Sequence, residues 1–322
     1  MTMLVSRPAS GRPSLGRREK AGALAACAVG ALIDEALLTP KPALVDRRGS
    51  GAHLDLDLER MVRSARALEA GFEEMAAVAL DRTRPDLALR EDLGSIGRRA
   101  EQAMLAATAG SNAHRGAIWI LGLLVAGAAM AEDEIPASSL MPASSLIPAS
   151  PLVNVSAIAA RAAALARLPD RFAPVSASNG RIAGMRYGVP GARGEAQAGF
   201  PHVIRYGLPV LLRARRNGCR EEVARLDALM AIMAHLDDTC LLHRAGLDGL
   251  DAARHGAAAV LAAGGTGTAA GHTALENLDA ELMRLWASPG GSADLLAATL
   301  FLDRVGSPPA RAGDLSEVSW KS

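Results

Sequence analysis

Five short segments of the chain combine charged side chains with glycine or proline, and together they could hold a phosphate-bearing ligand. The first runs from residue 39 to residue 57. Its two prolines exclude a helix and impose an extended path. Along that path lie Lys41, Asp46, Arg47, His53, Asp55 and Asp57. A rigid loop with charges of both signs is typical of a phosphate and metal site, although an aspartate at a helix start is also a common cap.

Two segments lead directly into helices. Residues 110–116 contain Asn112, His114 and Arg115 and precede a strongly apolar stretch, while residues 288–296 contain Gly290, Gly291, Ser292 and Asp294. Helix N-termini bind anions through free N–H groups and the helix dipole. The alternative for each segment is a simple helix cap with solvated charges.

The remaining two segments carry carboxylates in unusual settings. Residues 187–201 are rich in glycine, which permits close backbone approach to a ligand, and Arg193 and Glu195 are their only charges. The second is the acidic pair Asp237 and Asp238. Helical spacing continues the apolar face of residues 223–233 to Asp237, which we therefore expect to point inward. A carboxylate there is costly unless it is paired or bound to metal, so the pair indicates a magnesium platform or a buried salt bridge.

Helices must position these segments, because the chain is 50% hydrophobic but only 3% aromatic, with alanine and leucine dominant. The pattern predicts one all-α domain over residues 21–305, flanked by a disordered basic tail (1–20) and a C-terminal tail (306–322). Apolar spacing predicts helices from Asp57 to Pro85 and over 96–108, 114–131, 153–168, 202–217, 221–243, 248–263, 274–286 and 293–304. A glycine-rich loop is expected over 176–201. A Pro/Ser repeat at 132–151 is expected to be a flexible insertion.

Bulk properties exclude several function classes. A net charge of +1 gives no indication of a nucleic-acid partner. The longest apolar run, residues 116–131, is shorter than the roughly 20 residues that span a bilayer, so we expect a buried central helix and no membrane partner. Three scattered cysteines provide neither a zinc site nor a disulfide framework, which fits a reducing cytoplasm.

The five segments together resemble the triphosphoribosyl-dephospho-CoA synthase family. The resemblance rests on TPKPALVDRRGSGAHLDLD, GSNAHRGAIW, GARGEAQAGFP, LDDT and SPGGSADLLA, in that order, and spans about residues 24–304. The chain departs from the family pattern at Ala43, at Ala113 to Arg115, and at Cys240. Ala43 and the GSGAH stretch are more similar to the malonate decarboxylase branch than to the citrate lyase branch.

The resemblance implies that the chain joins ATP to 3′-dephospho-CoA and releases adenine. The product would pass to a phosphoribosyl-dephospho-CoA transferase and an acyl-carrier subunit. It also implies Mg²⁺ on Asp55, Asp57, Asp237 and Asp238, and phosphate binding by Lys41, Arg47, Arg115 and Arg193. Nucleotide contacts are expected from His53, Asn112, His114, Gly290, Gly291, Ser292 and Asp294, with Glu195 or Asp46 as the base. A magnesium-dependent hydrolase of ADP-ribose-like substrates and a helical scaffold without catalysis are the alternatives.

Overall fold

The chain folds as α-helices, as the computed structural model shows for residues 15–130, 151–174 and 178–306. Within these ranges, the only β feature is a single bridge between Asp46 and Gly49. The all-α single domain predicted from the sequence is therefore confirmed. The helices are α1 (Leu15–Leu37), α2 (Leu58–Ala67), α3 (Glu69–Ala79), α4 (Leu87–Ala107), α5 (Arg115–Ala129), α6 (Pro151–Arg167), α7 (Asn179–Tyr187), α8 (Gly191–Gln197), α9 (Leu208–Arg216), α10 (Glu221–Met233), α11 (Thr239–Ala262), α12 (Ala269–Arg284) and α13 (Gly290–Gly306), with one π-helical turn at Val203–Gly207.

Helix α5 is the centre of the core. Twelve of its 15 residues are buried, and it packs against α1, α3, α4, α6, α8 and α13. This confirms the expected buried central helix. Two glycines let neighbouring helices approach: a Cβ on Gly127 would stand 2.6 Å from the carbonyl oxygen of Ile158 in α6, and one on Gly122 would stand 2.6 Å from the Met75 sulfur in α3. No helix among the described residues is long and apolar enough to cross a membrane.

Several predicted elements were wrong in their extent; the helix expected over 96–108, for example, begins at Leu87. The helix expected after Asp57 is two helices, because the chain turns at Leu68. The glycine-rich stretch expected as one loop contains α7 and α8. The helix expected over 221–243 ends at Met233, and a new helix begins at Thr239, so Asp237 is not on the apolar face of α10.

Helix boundaries near the chain tails also differ from expectation. Helix α1 begins at Leu15, inside the tail expected over residues 1–20. The rest of that tail, the insertion expected at 132–151 and the C-terminal tail from residue 307 lie outside the described residues, except that Pro151 begins α6.

Several helices direct their N-terminal ends toward one cavity. Its lining includes Asn112 to Gly116 at the start of α5, Ser178 to Gly180 at the start of α7, Asp238 to Cys240 at the start of α11, and Gly290 with Gly291 at the start of α13. The fold thus brings residues that are far apart in sequence around a single space.

Candidate active site

The cavity has a volume of about 570 Å³ and is lined by both charged and apolar side chains. Each helix N-terminus leaves backbone N–H groups without intrahelical partners, and the aligned peptide dipoles place partial positive charge there. Helix ends of this kind can bind an anion, and the Asp238 carboxylate already occupies the N–H groups at the starts of α11 and α13. The size is within the range of nucleotide-sized ligand pockets, which are typically about 300–1,000 Å³.

Asp238 joins two of these helix ends. One carboxylate oxygen accepts hydrogen bonds from the backbone N–H groups of Cys240 (2.9 Å) and Gly291 (3.2 Å). The other accepts from the N–H (2.8 Å) and the hydroxyl (3.0 Å) of Ser292. Burial raises the pKa of Asp238, although these hydrogen bonds favour the ionised form. Asp238 therefore acts as a cap shared by α11 and α13, with both oxygens occupied.

The expected magnesium platform is not formed by its four acidic residues. Asp237, 42% exposed at its side chain, pairs with Arg254 at 2.8 Å rather than pointing inward. Asp57 caps α2 by accepting from the N–H of Arg60 at 2.7 Å, and Asp55 is 59% exposed. Among the described residues, no three His, Cys, Asp or Glu side chains are grouped so that they could hold a metal ion. These four residues do not fit a common magnesium site.

A buried ion pair lies in the cavity wall between α1 and the proline-containing loop. The Lys41 ammonium is 2.5 Å from a Glu35 carboxylate oxygen, and their side chains are only 1% and 4% exposed. Sequence reasoning singled out Lys41 but missed Glu35. The signal was present, because Ala28, Leu32 and Glu35 recur at helical spacing on the buried face of α1.

Glu195 is held in the cavity wall by one neighbour. Its two oxygens accept the backbone N–H of His202 at 2.9 Å and meet the His202 Nδ1 at 2.7 Å. The His202 Nε2 lies 3.2 Å from the carbonyl oxygen of His235. Burial opposes protonation of His202, but the hydrogen bond and charge of Glu195 outweigh it and raise the pKa of the imidazole. The contacts with His202 therefore hold the Glu195 carboxyl group in the cavity wall.

The start of α5 contributes polar groups that the sequence identified. His114 is buried, and its Nδ1 lies 2.7 Å from the Ser64 hydroxyl. No described residue pairs with its Nε2. Burial, together with the charge of Lys41, lowers the pKa of His114 to about 4, so the ring is neutral at pH 7. Asn112 accepts from the N–H of Arg115 at 3.2 Å, and the Arg115 guanidinium pairs with Glu101.

A second histidine is positioned at the opposite end of the proline-containing loop. The His53 Nε2 lies 2.8 Å from the Ser288 hydroxyl, and its Nδ1 lies 3.0 Å from the Arg244 guanidinium. Arg244 also donates to the carbonyl oxygen of Ala52 at 2.8 Å. Burial and the charge of Arg244 lower the pKa of His53 to about 4. Arg244 lines the cavity and was missed, because no recognisable motif surrounds it in α11.

Asp294 lies in the cavity wall near the start of α13. One of its oxygens lies against Gly116 so closely that a Cβ there would overlap it. Burial and the negative charges of Glu35 and Asp238 raise the pKa of Asp294 well above its ordinary value. Gly290 and Gly291 also line the cavity, whereas Ser292 donates a hydrogen bond to Asp238.

Five predicted site residues do not line the cavity: Asp57 and Ser292, which serve as or support helix caps, and Asp46, Arg47 and Arg193. Asp46 is buried and accepts from the backbone N–H groups of Lys41 (2.8 Å) and Arg48 (2.7 Å), so it shapes the loop. Arg47 is exposed and donates to the carbonyl oxygen of Leu37. Arg193 is exposed on α8. Charge in a loop could be recognised from the sequence, but not the direction in which each side chain points.

Comparison with known proteins gives matches over most of the chain. The family model described as ATP:dephospho-CoA triphosphoribosyl transferase matches residues 21–311. A probable 2-(5''-triphosphoribosyl)-3'-dephosphocoenzyme-A synthase from Azotobacter vinelandii is 54% identical over 295 residues, which are 91% of this chain and 93% of that protein. The 2-(5''-triphosphoribosyl)-3'-dephosphocoenzyme-A synthase from Klebsiella pneumoniae is 54% identical over 282 residues, 88% of this chain and 94% of that protein. No solved structure matches.

Proposed function

Since the chain belongs to the ATP:dephospho-CoA triphosphoribosyl transferase family and is a transferase, we propose that it joins ATP to 3′-dephospho-CoA. The products would be 2′-(5″-triphosphoribosyl)-3′-dephospho-CoA and adenine. The observation that carries this proposal is the cavity onto which four helix N-termini converge. Such a cavity suits a substrate that carries a triphosphate.

The cationic groups of the cavity support binding of two phosphate-bearing substrates. Arg115 lies at the start of α5, and Arg244 lies with His53 near the start of α13. Guanidinium groups bind phosphate through directed, charge-assisted hydrogen bonds. Lys41 contributes differently, because its ammonium is fully buried in its pair with Glu35, whereas the Arg115 guanidinium, paired with Glu101, is 40% exposed. We propose that Arg115 and Arg244 contact phosphates and that Lys41 fixes Glu35.

Glu195 is the proposed base for the acceptor hydroxyl. In the reaction, the 2′-oxygen of dephospho-CoA forms a bond to the anomeric carbon of the ATP ribose, while the bond from that carbon to N9 of adenine breaks. The hydroxyl proton must pass to a base. Glu195 is a cavity-facing carboxylate held by His202, whereas the other sequence candidate, Asp46, is outside the cavity wall.

Magnesium has no assigned ligand in this proposal, because the four acidic residues expected to hold it do not form a site. The use of ATP as the donor leads us to propose that the enzyme acts in the cytoplasm.

The product is proposed to supply the prosthetic group of a malonate decarboxylase acyl-carrier subunit, through a phosphoribosyl-dephospho-CoA transferase. This narrower proposal rests on Ala43 and the Gly49 to His53 stretch. A coupled assay tests it, with the matching transferase and the carrier subunit of either malonate decarboxylase or citrate lyase. Faster modification of the malonate decarboxylase carrier is expected, and faster modification of the other carrier would overturn the assignment.

The direct test of the reaction is incubation with ATP and 3′-dephospho-CoA followed by mass spectrometry. We expect one adduct that contains the triphosphoribosyl group and an equal amount of free adenine. Glu195→Gln should lower the rate by about 10²–10⁴-fold, the usual contribution of a general base. Release of ribose triphosphate without an adduct would instead identify a hydrolase.

A further inference from the structure

Six acidic side chains line the cavity, and one of them differs from the rest in its contacts. Five are paired, hydrogen-bonded or open to solvent: Glu35, Asp55, Glu195, Asp237 and Asp238. The sixth, Asp294, accepts no hydrogen bond and forms no ion pair with any residue that the structure describes. Its carboxyl group is therefore available to a ligand in the cavity.

The surroundings of Asp294 favour a carboxylic acid over a carboxylate. The negative charges of Glu35 and Asp238, which line the same cavity, disfavour its ionised form. The positive charge of Lys41 is bound to Glu35. The Cys240 thiol and the neutral His114 ring add no cation. The N-terminal end of α5 at Gly116 acts in the opposite direction, but burial and the two carboxylates prevail and raise the pKa of Asp294.

We propose that Asp294 is the catalytic acid that donates a proton to the departing adenine. The inference rests on the proposed function. A protonated carboxyl group is a hydrogen-bond donor, and adenine leaves more readily when a ring nitrogen receives a proton. Enzymes separate acid and base roles by placing two titratable groups in unlike environments. Asp294, without a donor, and Glu195, held by His202, are such a pair in one cavity.

Asp294 and Glu195 account for both proton transfers of the step, and the broken bond supplies the electron pair that leaves with adenine. The proton of the Asp294 carboxyl group moves to an adenine ring nitrogen as the bond to N9 breaks, and that electron pair leaves with the base. The 2′-oxygen of dephospho-CoA bonds to the anomeric carbon, and its proton passes to Glu195. Adenine departs neutral, Asp294 becomes a carboxylate, and Glu195 becomes an acid. Proton exchange with solvent restores both.

The test compares two triphosphate donors in Asp294→Asn. With ATP, the rate should fall by about 10²–10⁴-fold, the range for general acid catalysis. With ATP methylated at N7, the base departs as a neutral molecule without receiving a proton, so the variant should lose less than about tenfold. Equal losses with both donors, or no loss with ATP, would overturn the role of Asp294. Asp251→Asn, at an exposed position of α11, is the matched control and should resemble wild type.

If Asp294→Asn folds poorly, two further measurements test the same role: the pH profile of the rate and the two-donor comparison in Gly116→Ala. In a pH profile, the wild-type rate should fall at high pH as Asp294 loses its proton, and Asp294→Asn should not show this fall. The same fall in both proteins would contradict the role of Asp294. Gly116→Ala should push the Asp294 carboxyl group aside and reproduce the difference between the two donors; equal losses with both donors would contradict it. Wild type that forms no adduct refutes the proposed function itself, whereas adduct formation unaffected at Asp294 refutes only this inference.

Discussion

Asp237 and Asp238 are neighbours in the chain, but their carboxyl groups lie in different surroundings. Asp238 is 1% exposed and accepts hydrogen bonds from Cys240, Gly291 and Ser292. Asp237 is half-exposed and pairs with Arg254. Removing a buried acceptor leaves its hydrogen-bond donors unpaired, which costs much more free energy of unfolding than breaking a half-exposed ion pair. The same substitution should therefore affect the two residues differently.

Asp238→Asn should destabilise the protein by about 2–4 kcal/mol, because an amide NH₂ would face backbone N–H groups that need an acceptor. Asp237→Asn is the matched control and should cost less than about 1 kcal/mol, since the ion pair with Arg254 is partly solvated. Denaturant unfolding of both variants measures the difference. Equal stability losses would show that Asp238 is not the shared cap of α11 and α13.

His114 should make stability fall as the solution becomes acidic. Its pKa in the folded state is lowered to about 4, whereas the unfolded imidazole titrates near 6.5. The unfolded chain therefore binds more protons between these values, and stability is lost as the pH falls from 6.5 toward 4. His114 should account for a loss of roughly 3 kcal/mol in the free energy of unfolding over this pH range. Chemical unfolding at a series of pH values should show a shallower slope in His114→Gln, and an unchanged slope would contradict the buried neutral ring.

At the scale of elements, the close approach of α5 and α6 depends on the absence of a side chain. A Cβ on Gly127 would lie 2.6 Å from the carbonyl oxygen of Ile158, a backbone atom that cannot move aside. By contrast, a Cβ on Gly97 in α4 would find its nearest neighbour, the Met75 methyl carbon, at an ordinary 3.6 Å. Both glycines are inside helices, so alanine improves helix propensity equally at each.

Gly127→Ala should therefore destabilise the protein by about 1–3 kcal/mol, the usual cost of forcing extra volume into a packed interface. Gly97→Ala should be neutral or stabilise it by up to about 1 kcal/mol, because the helix gains propensity without a clash. Thermal unfolding of the pair checks both signs. A stable Gly127→Ala variant would mean that α5 and α6 are free to separate.

At the scale of the whole molecule, the Pro/Ser repeat joins α5 to α6, which pack directly on each other. All described lining residues of the cavity come from other segments. Replacing residues 132–150 with a short Gly-Ser linker should leave the catalytic rate near wild type, because each doubling of loop length changes the closure free energy by only about 0.6 kcal/mol. A large loss of rate in a variant that keeps its melting temperature would place the repeat in the site.

The fold class, the central helix and the family follow from the amino-acid sequence alone. Alanine- and leucine-rich periodicity specifies helices because it is a local property of consecutive residues, and the buried α5 follows from its unbroken apolar composition. The motif order was also sufficient to identify the segments that supply the cavity wall. His53, His114, Glu195 and Asp294 all line the cavity.

The role of each charged side chain, by contrast, depends on how the helices pack. Asp46, Asp57, Asp237 and Asp238 are equally acidic in the sequence, yet they shape a loop, cap a helix, pair with an arginine and join two helix ends. Glu35 and Arg244 also line the cavity, although no sequence motif marks them. The physical reason is that a carboxylate takes its role from its donors and its solvent exposure, and both depend on residues distant in the chain.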